Sequence, residues 1–394
     1  MSEKLTIKNF GPIKEMTIDL RKVNVLIGEQ ATGKSTIGKI LAVCRYFSYI
    51  NDFDYFEKEG SAFSWGLTSW GLDEFIKPDT FIAYSCMDYL LEGRAIKAAY
   101  DPWVPEEINE SSYDIKIELK GLSKTFINLV SELKNINKST EKYSHSETPI
   151  SFFQNNVAVV MDNPFYLPAE RGLQSIFSLG KSSIQNLSDA LFNQLAKVDG
   201  ILRRFKDEVE IESLDIFYKN VEGKGYVRKK NEKIYHSLFN AATGYQSTIP
   251  VVLTMKYYNE RRKKSKTFII EEPELNLFPK AQSELVNYLV SSTINFENTI
   301  LLTTHSPYIL TSLNNLMYAY IVGQKEPVVV NEIINRKYWI NPEGVSAYML
   351  LPNGECEDIF DREEGLIKAE KIDDVTNILN EQFDALLNIE LVPK

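Results

Sequence analysis

Histidine and cysteine are scarce in this chain of 394 residues, with three of each. Cys44, Cys86 and Cys356 lie far apart and form no C-x-x-C pair, so neither a disulfide framework nor a cysteine zinc site is indicated. His145, His236 and His305 are equally scattered, and spacing yields no histidine metal cluster. Long hydrophobic runs are also missing. The longest, such as Ile249 to Thr254, fall far below membrane-spanning length, and Met1 to Leu5 carries no apolar signal core. The expectation is a reduced, cytoplasmic setting with no membrane. Basic excess is lacking as well: 44 Lys and Arg stand against 54 Asp and Glu, a formal net charge of -10. That balance argues against a surface built mainly to grip nucleic acid, although a local basic patch is compatible with it. No Pro- or Ser-rich linker is present, so a second domain is expected to be inserted or packed rather than tethered.

What is there begins with residues 22–36, where the apolar run Val23 to Ile27 ends in Gly28. Gly28, Gly33, Lys34 and Ser35 match G-x-x-x-x-G-K-[ST], and a helix-compatible segment follows with Ile37, Ile40, Leu41, Cys44 and Phe47 at helical spacing. Two glycines let successive N–H groups turn inward, and the helix start adds the positive end of its dipole, so a polyphosphate is cradled. In this reading Lys34 reaches the β- and γ-phosphates and the Ser35 hydroxyl is a ligand of Mg²⁺.

Alternation over Leu5 to Phe10 and Met16 to Leu20 predicts strands, separated at Gly11-Pro12. Residues 49–112 turn aromatic, with Trp65, Trp70 and Trp103, and read as an inserted, mainly helical lobe extending to about 160. Within it, Tyr113 to Leu119 alternates like a strand and Leu122 to Leu133 like an amphipathic helix. Asn156 to Met161 is a further strand candidate, and 173–208 looks mostly helical. The last third alternates helix and buried strand: helices at Gln246 to Tyr258, Pro279 to Val290 and Pro307 to Leu316, strands at Thr267 to Ile270 and Thr299 to Thr303. Such alternation predicts an α/β fold with a sheet covered on both faces. The predicted division is a head from 1–48 and 161–345, an insertion at 49–160, and a helical, acidic tail at 346–394 packed on the head.

Two strand ends carry further chemistry. Phe268-Ile269-Ile270 runs into Glu271 and Glu272; a phosphate-loop enzyme needs one acid there for the magnesium and another to polarise the attacking water. By position Glu271 takes the metal role and Glu272 the base role. Leu301 to Thr304 ends at His305, ahead of a helix with Ser306 as cap and Pro307 in its first turn. A histidine so placed can hydrogen-bond a γ-phosphate or the attacking water. Thr243, Gly244 and Gln246 stand at another helix start, which reads either as a second anion site or as an ordinary cap.

This set, with the opening Ile7-Lys8-Asn9-Phe10-Gly11-Pro12-Ile13, resembles the ABC-type ATPase head shared by SMC, RecF and OLD proteins. The resemblance implies a P-loop NTPase of ABC-head type with a mixed sheet, ATP and Mg²⁺ as cofactors, and ATP hydrolysis. It assigns Gly28, Gln30, Ala31, Thr32, Gly33, Lys34, Ser35 and Thr36 to the Walker A loop and Glu271 with Glu272 to Walker B. Thr243, Gly244 and Gln246 fall in the signature motif that completes a second subunit's ATP site, Glu274 to Asn276 in the D-loop, and His305 at the switch histidine. It further implies a homodimer or higher homo-oligomer through head-to-tail ATP sites. Departures are Glu271 where aspartate is usual, Gln30 in place of asparagine, and Gly11 where some relatives carry a nucleotide-contacting arginine. Gln154 and Gln174 are both candidates for the Q-loop glutamine.

Tyr166-Leu167-Pro168-Ala169-Glu170-Arg171 is similar to a segment of the ATPase subunits of bacterial antiphage systems of the Septu and PARIS kind. Arg171 there either approaches the nucleotide or a partner, or pairs with Glu170 or another neighbour. The leading expectation is a nucleotide-driven dimer switch that regulates a separate effector, a nuclease or toxin. The rival is a RecF- or SMC-like repair ATPase acting on DNA through Arg203-Arg204, Arg228-Lys229-Lys230 and Arg261-Arg262-Lys263-Lys264. A third reading is a scaffold that binds ATP without useful turnover. A fused nuclease is not expected, because Val328 to Ile340 and the tail contain no paired-acid arrangement, and acids such as Glu355, Asp358 and Glu364 read as a solvated face.

Overall fold

A computed structural model describes residues 3–49, 61–86, 89–97, 113–120, 164–172, 187–261, 265–368 and residue 382. Along β1 (Glu3–Phe10) and β2 (Ile13–Leu20) every apolar residue of the alternating pattern is buried, and the two strands pair antiparallel around Gly11-Pro12. β3 (Val23–Gly28) is buried along its whole length and leads through the phosphate loop into α1 (Lys34–Tyr49). After α2 (Ser61–Ser69) come β4 (Ile76–Cys86), β5 (Tyr89–Lys97) and β6 (Tyr113–Lys120), which extend the first pair into a five-stranded sheet of order β2-β1-β4-β5-β6.

A mainly helical insertion is therefore not what residues 76–97 form. The physical reason is the edge of β1: without β4 its backbone N–H and C=O groups on that side would be left unpaired. Thr80, Ile82, Tyr84 and Cys86 point inward and alternate with half-exposed neighbours, the period of a strand covered on one face. Among the other expectations for this region, the helix at 122–133, the strand at 156–161 and both Q-loop candidates, Gln154 and Gln174, lie outside the described residues.

The second sheet is formed by distant pieces. β7 (Phe165–Leu167) is followed by α3 (Asp189–Leu202) and a small antiparallel sheet of β8 (Val209–Ile211), β9 (Ile216–Val221), β10 (Lys224–Lys229) and β11 (His236–Ser237). Then come α4 (Thr243–Arg261), β12 (Thr267–Glu271), α5 (Pro279–Ile294), β13 (Thr299–Thr304), α6 (Pro307–Gly323) and α7 (Pro327–Ile333). β14 (Val345–Leu350), β15 (Cys356–Asp358), β16 (Phe360–Asp361) and β17 (Leu366–Ile367) close the described chain. The main sheet has the order β15-β14-β3-β13-β12-β7 and is parallel except for β15, so the sheet is mixed.

β14 overturns the expectation of helix from about 345. Val345 to Leu350 runs parallel to β3, and all but Met349 are buried. A strand covered on both faces shows no alternation, and Ala, Met and Leu in it favour helix, so periodicity could not separate the two. Alternate residues of the buried strands feed two cores. Val23, Val25, Ile27, Phe268, Ile270, Ile300 and Leu302 face α4, α5 and α6, while Leu26, Ile269 and Leu301 face α1 and the inner face of the five-stranded sheet. This sandwich holds α1 between two sheets and aims its N-terminus at the ends of β12 and β13.

Candidate functional site

The loop between β3 and α1 has the backbone its spacing demands. Gly33 lies at φ 101° and Ala31 at φ 62°, a left-handed conformation that costs a non-glycine residue roughly 1–2 kcal/mol. A side chain on Gly28 would meet the Leu350 carbonyl at 2.4 Å, so β14 passes too close for any residue but glycine. Lys34 is buried, and its Nζ donates to the carbonyls of Gly28 at 2.8 Å and Glu29 at 2.6 Å. Burial pushes its pKa down to about 8, while the carboxylates of Glu272, Glu274 and Glu271 act in the opposite direction.

A cavity of about 460 Å³ opens over this loop. Gln30, Ala31, Gly33, Lys34, Ser35 and Thr36 form its floor, and Glu272, Thr303 and His305 one wall. Pro12 and Phe75 form another wall and were not anticipated as site residues. Gly11, at φ 51°, lets Phe75 lie against the β1–β2 turn, since a Cβ there would meet the ring at 2.8 Å.

Glu272 follows directly on β12 and sits at φ 42°. Its N–H donates to the Thr303 carbonyl at 2.8 Å, and its Oε1 lies 3.4 Å from His305 Nε2. Glu274 holds the other side of the histidine, accepting from His305 N at 2.8 Å and Thr304 Oγ1 at 2.7 Å. The helix after His305 is capped as expected, with Ser306 Oγ accepting from Tyr308 N.

Glu271 does not line the cavity. It is buried and turned toward β7, where its Oε1 accepts from the Tyr166 hydroxyl at 2.5 Å and its Oε2 from Ala169 N at 3.0 Å. The same hydroxyl lies 3.4 Å from the Ser35 carbonyl, which places Glu271 against the first turn of α1. Among the described residues no cationic side chain is hydrogen-bonded to the Glu271 carboxylate, and magnesium, which keeps several waters and needs few protein ligands beside phosphate, would fit the space beside Ser35 and Glu271. Ser35 and Glu271 would hold the ion, with Glu271 suited to contact through water because both of its oxygens already accept. Tyr166→Phe is expected to lower turnover about tenfold and to cost roughly 1–3 kcal/mol of stability. Unchanged turnover at limiting Mg²⁺ would reduce Tyr166 to packing.

Arg171 is not among the residues of the cavity, and its hydrogen bonds among the described residues go to carbonyls rather than to a carboxylate side chain. It is wholly buried, and its guanidinium donates to four backbone carbonyls: Ser247 from Nε at 2.6 Å, Pro168 and Glu271 from Nη1 at 3.0 and 2.6 Å, and Glu272 from Nη2 at 2.7 Å. Burial lowers its pKa to about 10, opposed chiefly by the charge of Glu274, so it is a cation at neutral pH.

Thr243, Gly244 and Gln246 are not among the residues of the cavity. Thr243 is exposed at the first position of α4, and Gly244 packs so tightly on the D-loop that a Cβ would meet the Asn276 carbonyl at 2.8 Å. Ser247 Oγ donates to Leu275 O at 2.8 Å in the same contact. Gln246 is turned back, its Nε2 donating to the carbonyls of Phe239 and Ala241.

Residues 1–168 and 168–310 match the family of the AAA ATPase domain. No curated protein matches the chain. Among solved structures it is similar to a SmcHead bound to the C-winged helix domain of ScpA, with 9% identity over 90% of this chain and 96% of that one and a TM-score of 0.44. It is also similar to the SMC head domain from Thermotoga maritima, with 10% identity over 79% and 91% and a TM-score of 0.37. A third similar structure is the Smc head domain with an extended coiled coil bound to the C-terminal domain of ScpA derived from Pyrococcus furiosus, with 10% identity over 96% and 98% and a TM-score of 0.40.

Proposed function

The chain belongs to the AAA ATPase domain family and is an ATPase; from that premise we propose that it works as a nucleotide-driven dimer switch, the regulatory subunit of a bacterial antiphage or toxin system with a separate effector. ATP with Mg²⁺ occupies the cavity over Lys34, Glu272 activates the attacking water, and His305 reports the γ-phosphate. The observation that carries the dimer is the displacement of Thr243 and Gly244 from their own chain's cavity, with Thr243 exposed at a helix start. An N-terminus of that kind binds anions, and the anion available to it is a second copy's nucleotide. Phe239, Phe278 and Tyr308, which flank the signature, the D-loop and His305, are all exposed, and a partner's face would cover them.

Thr243→Arg tests the composite site. It is expected to leave ATP binding intact while abolishing both hydrolysis and ATP-driven dimerisation, read by light scattering. A variant that still turns over as a monomer would overturn the dimer.

The regulatory role rests on the likeness of Tyr166 to Arg171 to antiphage ATPase subunits. Phage challenge of cells expressing the chain with its genomic neighbours tests it: protection lost with Lys34→Ala supports the role, and no protection removes it. A direct grip on DNA finds less support. In the clusters at 203–204 and 228–230, Arg203 pairs with Asp199, Arg228 with Glu208, Lys229 with Glu232 and Lys230 with Glu210, so much of their charge is balanced locally, while residues 262–264 of the third cluster lie outside the described residues. Among the described residues, no helix is long and apolar enough to cross a membrane.

A further inference from the structure

Arg171 brings together carbonyls from three parts of the chain: its own turn at Pro168, the first turn of α4 at Ser247, and the end of β12 at Glu271 and Glu272. In an extended strand, successive carbonyls point to opposite sides. For those of Glu271 and Glu272 to converge on one guanidinium, the backbone at Glu272 must leave the strand conformation, and it does so at φ 42°. That departure also turns the Glu272 side chain toward the cavity and to within 3.4 Å of His305.

The fork is tied to a second contact between the same elements. The Glu272 carbonyl accepts from Leu275 N at 3.0 Å as well as from Arg171, and Leu275 O accepts from Ser247 Oγ, while Ser247 O accepts from Arg171. The start of α4 and the end of β12 are therefore joined twice, once through the buried guanidinium and once through the D-loop. Gly244, at the tip of α4, lies directly against that loop.

We propose that Arg171 is a positioning residue for hydrolysis: it holds the backbone of Glu272 in the conformation that presents its carboxylate, and it links that conformation to the signature end of α4. A guanidinium suits this place because its planar fork satisfies several fixed acceptors at once and keeps its charge when buried. Lysine would gather its three donors on one nitrogen and could not span carbonyls this far apart. The inference rests on the ATPase reading above, with Glu272 as the catalytic base.

The test compares Arg171→Met and Arg171→Lys with the parent chain, alone and combined with Glu272→Gln, by steady-state ATP hydrolysis and by binding of a non-hydrolysable ATP analogue. Arg171→Met is expected to lower kcat at least tenfold with KM and analogue affinity within about threefold, because the phosphate loop is untouched. Arg171→Lys is expected to fall between the two, and it carries the test if the Met variant does not fold. On the Glu272→Gln background, either substitution should produce no further loss, because both act through one group. A folded Arg171 variant with unchanged kcat, or equal losses on both backgrounds, overturns this inference alone. A parent chain whose turnover does not depend on Glu272 overturns the functional reading, and this inference falls with it.

Discussion

Glu272→Gln is expected to lower the rate of ATP hydrolysis about a thousandfold, within the range ascribed to a positioned general base, while leaving ATP bound. The carboxylate stands at the cavity wall 3.4 Å from His305 Nε2, and an amide in its place keeps the shape but cannot take a proton from water. The neighbouring carboxylates Glu271 and Glu274 are not among the residues of the cavity. Glu274 Oε1 is committed to Thr304 and the His305 backbone, and Glu271 is turned away toward Tyr166 and Ala169. With hydrolysis blocked and binding retained, the ATP-bound dimer should accumulate, and light scattering with and without ATP reads that directly. A glutamine variant with the parent's rate would mean that the base lies elsewhere. Hydrolysis abolished by this substitution also removes the pure scaffold reading.

Lys34→Ala acts on the earlier step. Lys34 is the one lysine or arginine among the described residues of the cavity, and the charges of Glu272, Glu274 and Glu271 act against the lowering of its pKa by burial. Without Lys34 the Glu272 carboxylate at the cavity wall faces the polyphosphate unopposed. The expected loss is on the order of 3 kcal/mol, roughly a hundredfold in Kd, as measured by calorimetry with a non-hydrolysable analogue. Retained affinity would show that the loop is not the phosphate site. The two variants separate the roles: one binds ATP without turnover, and the other loses affinity at the earlier step.

The legible part of the site is local in the chain. Gly28 to Ser35, the strand end at Glu271 and Glu272, and the Thr304 to Pro307 turn each declare themselves within a few residues, because a tight turn, a strand end and a helix cap are short-range features. The sheet strands β3, β12 and β13 and the helices after them follow from apolar runs and caps in the same way. What was missed is held by long-range contacts. Tyr166 meets Glu271 across 105 positions, and Arg171 meets the carbonyls of Ser247 and Glu271 across 76 and 100. Phe75 reaches the cavity from a segment read as a helical insertion. Its one local trace is Gly11, whose missing side chain makes room for the ring.

The two misread stretches share a cause. β4 exists because the edge of β1 needs a hydrogen-bonding partner, and β14 because β3 does. Neither need is written in the residues of β4 or β14 themselves.

By itself the amino-acid order marked Gly28 to Thr36 as a phosphate-binding loop, located the strand ends that carry the acids and the histidine, and pointed to the broad class of the head. Those features depend on short-range backbone geometry and on residue type at fixed spacing. The tertiary structure alone decided that Glu271 is sequestered while Glu272 lines the cavity, and that Thr243 and Gly244 stand apart from their own chain's site. It also decided that a buried arginine sets the backbone between them. The direction a side chain takes at a strand end is chosen by the partners that packing brings to it, and here those partners lie about a hundred residues away.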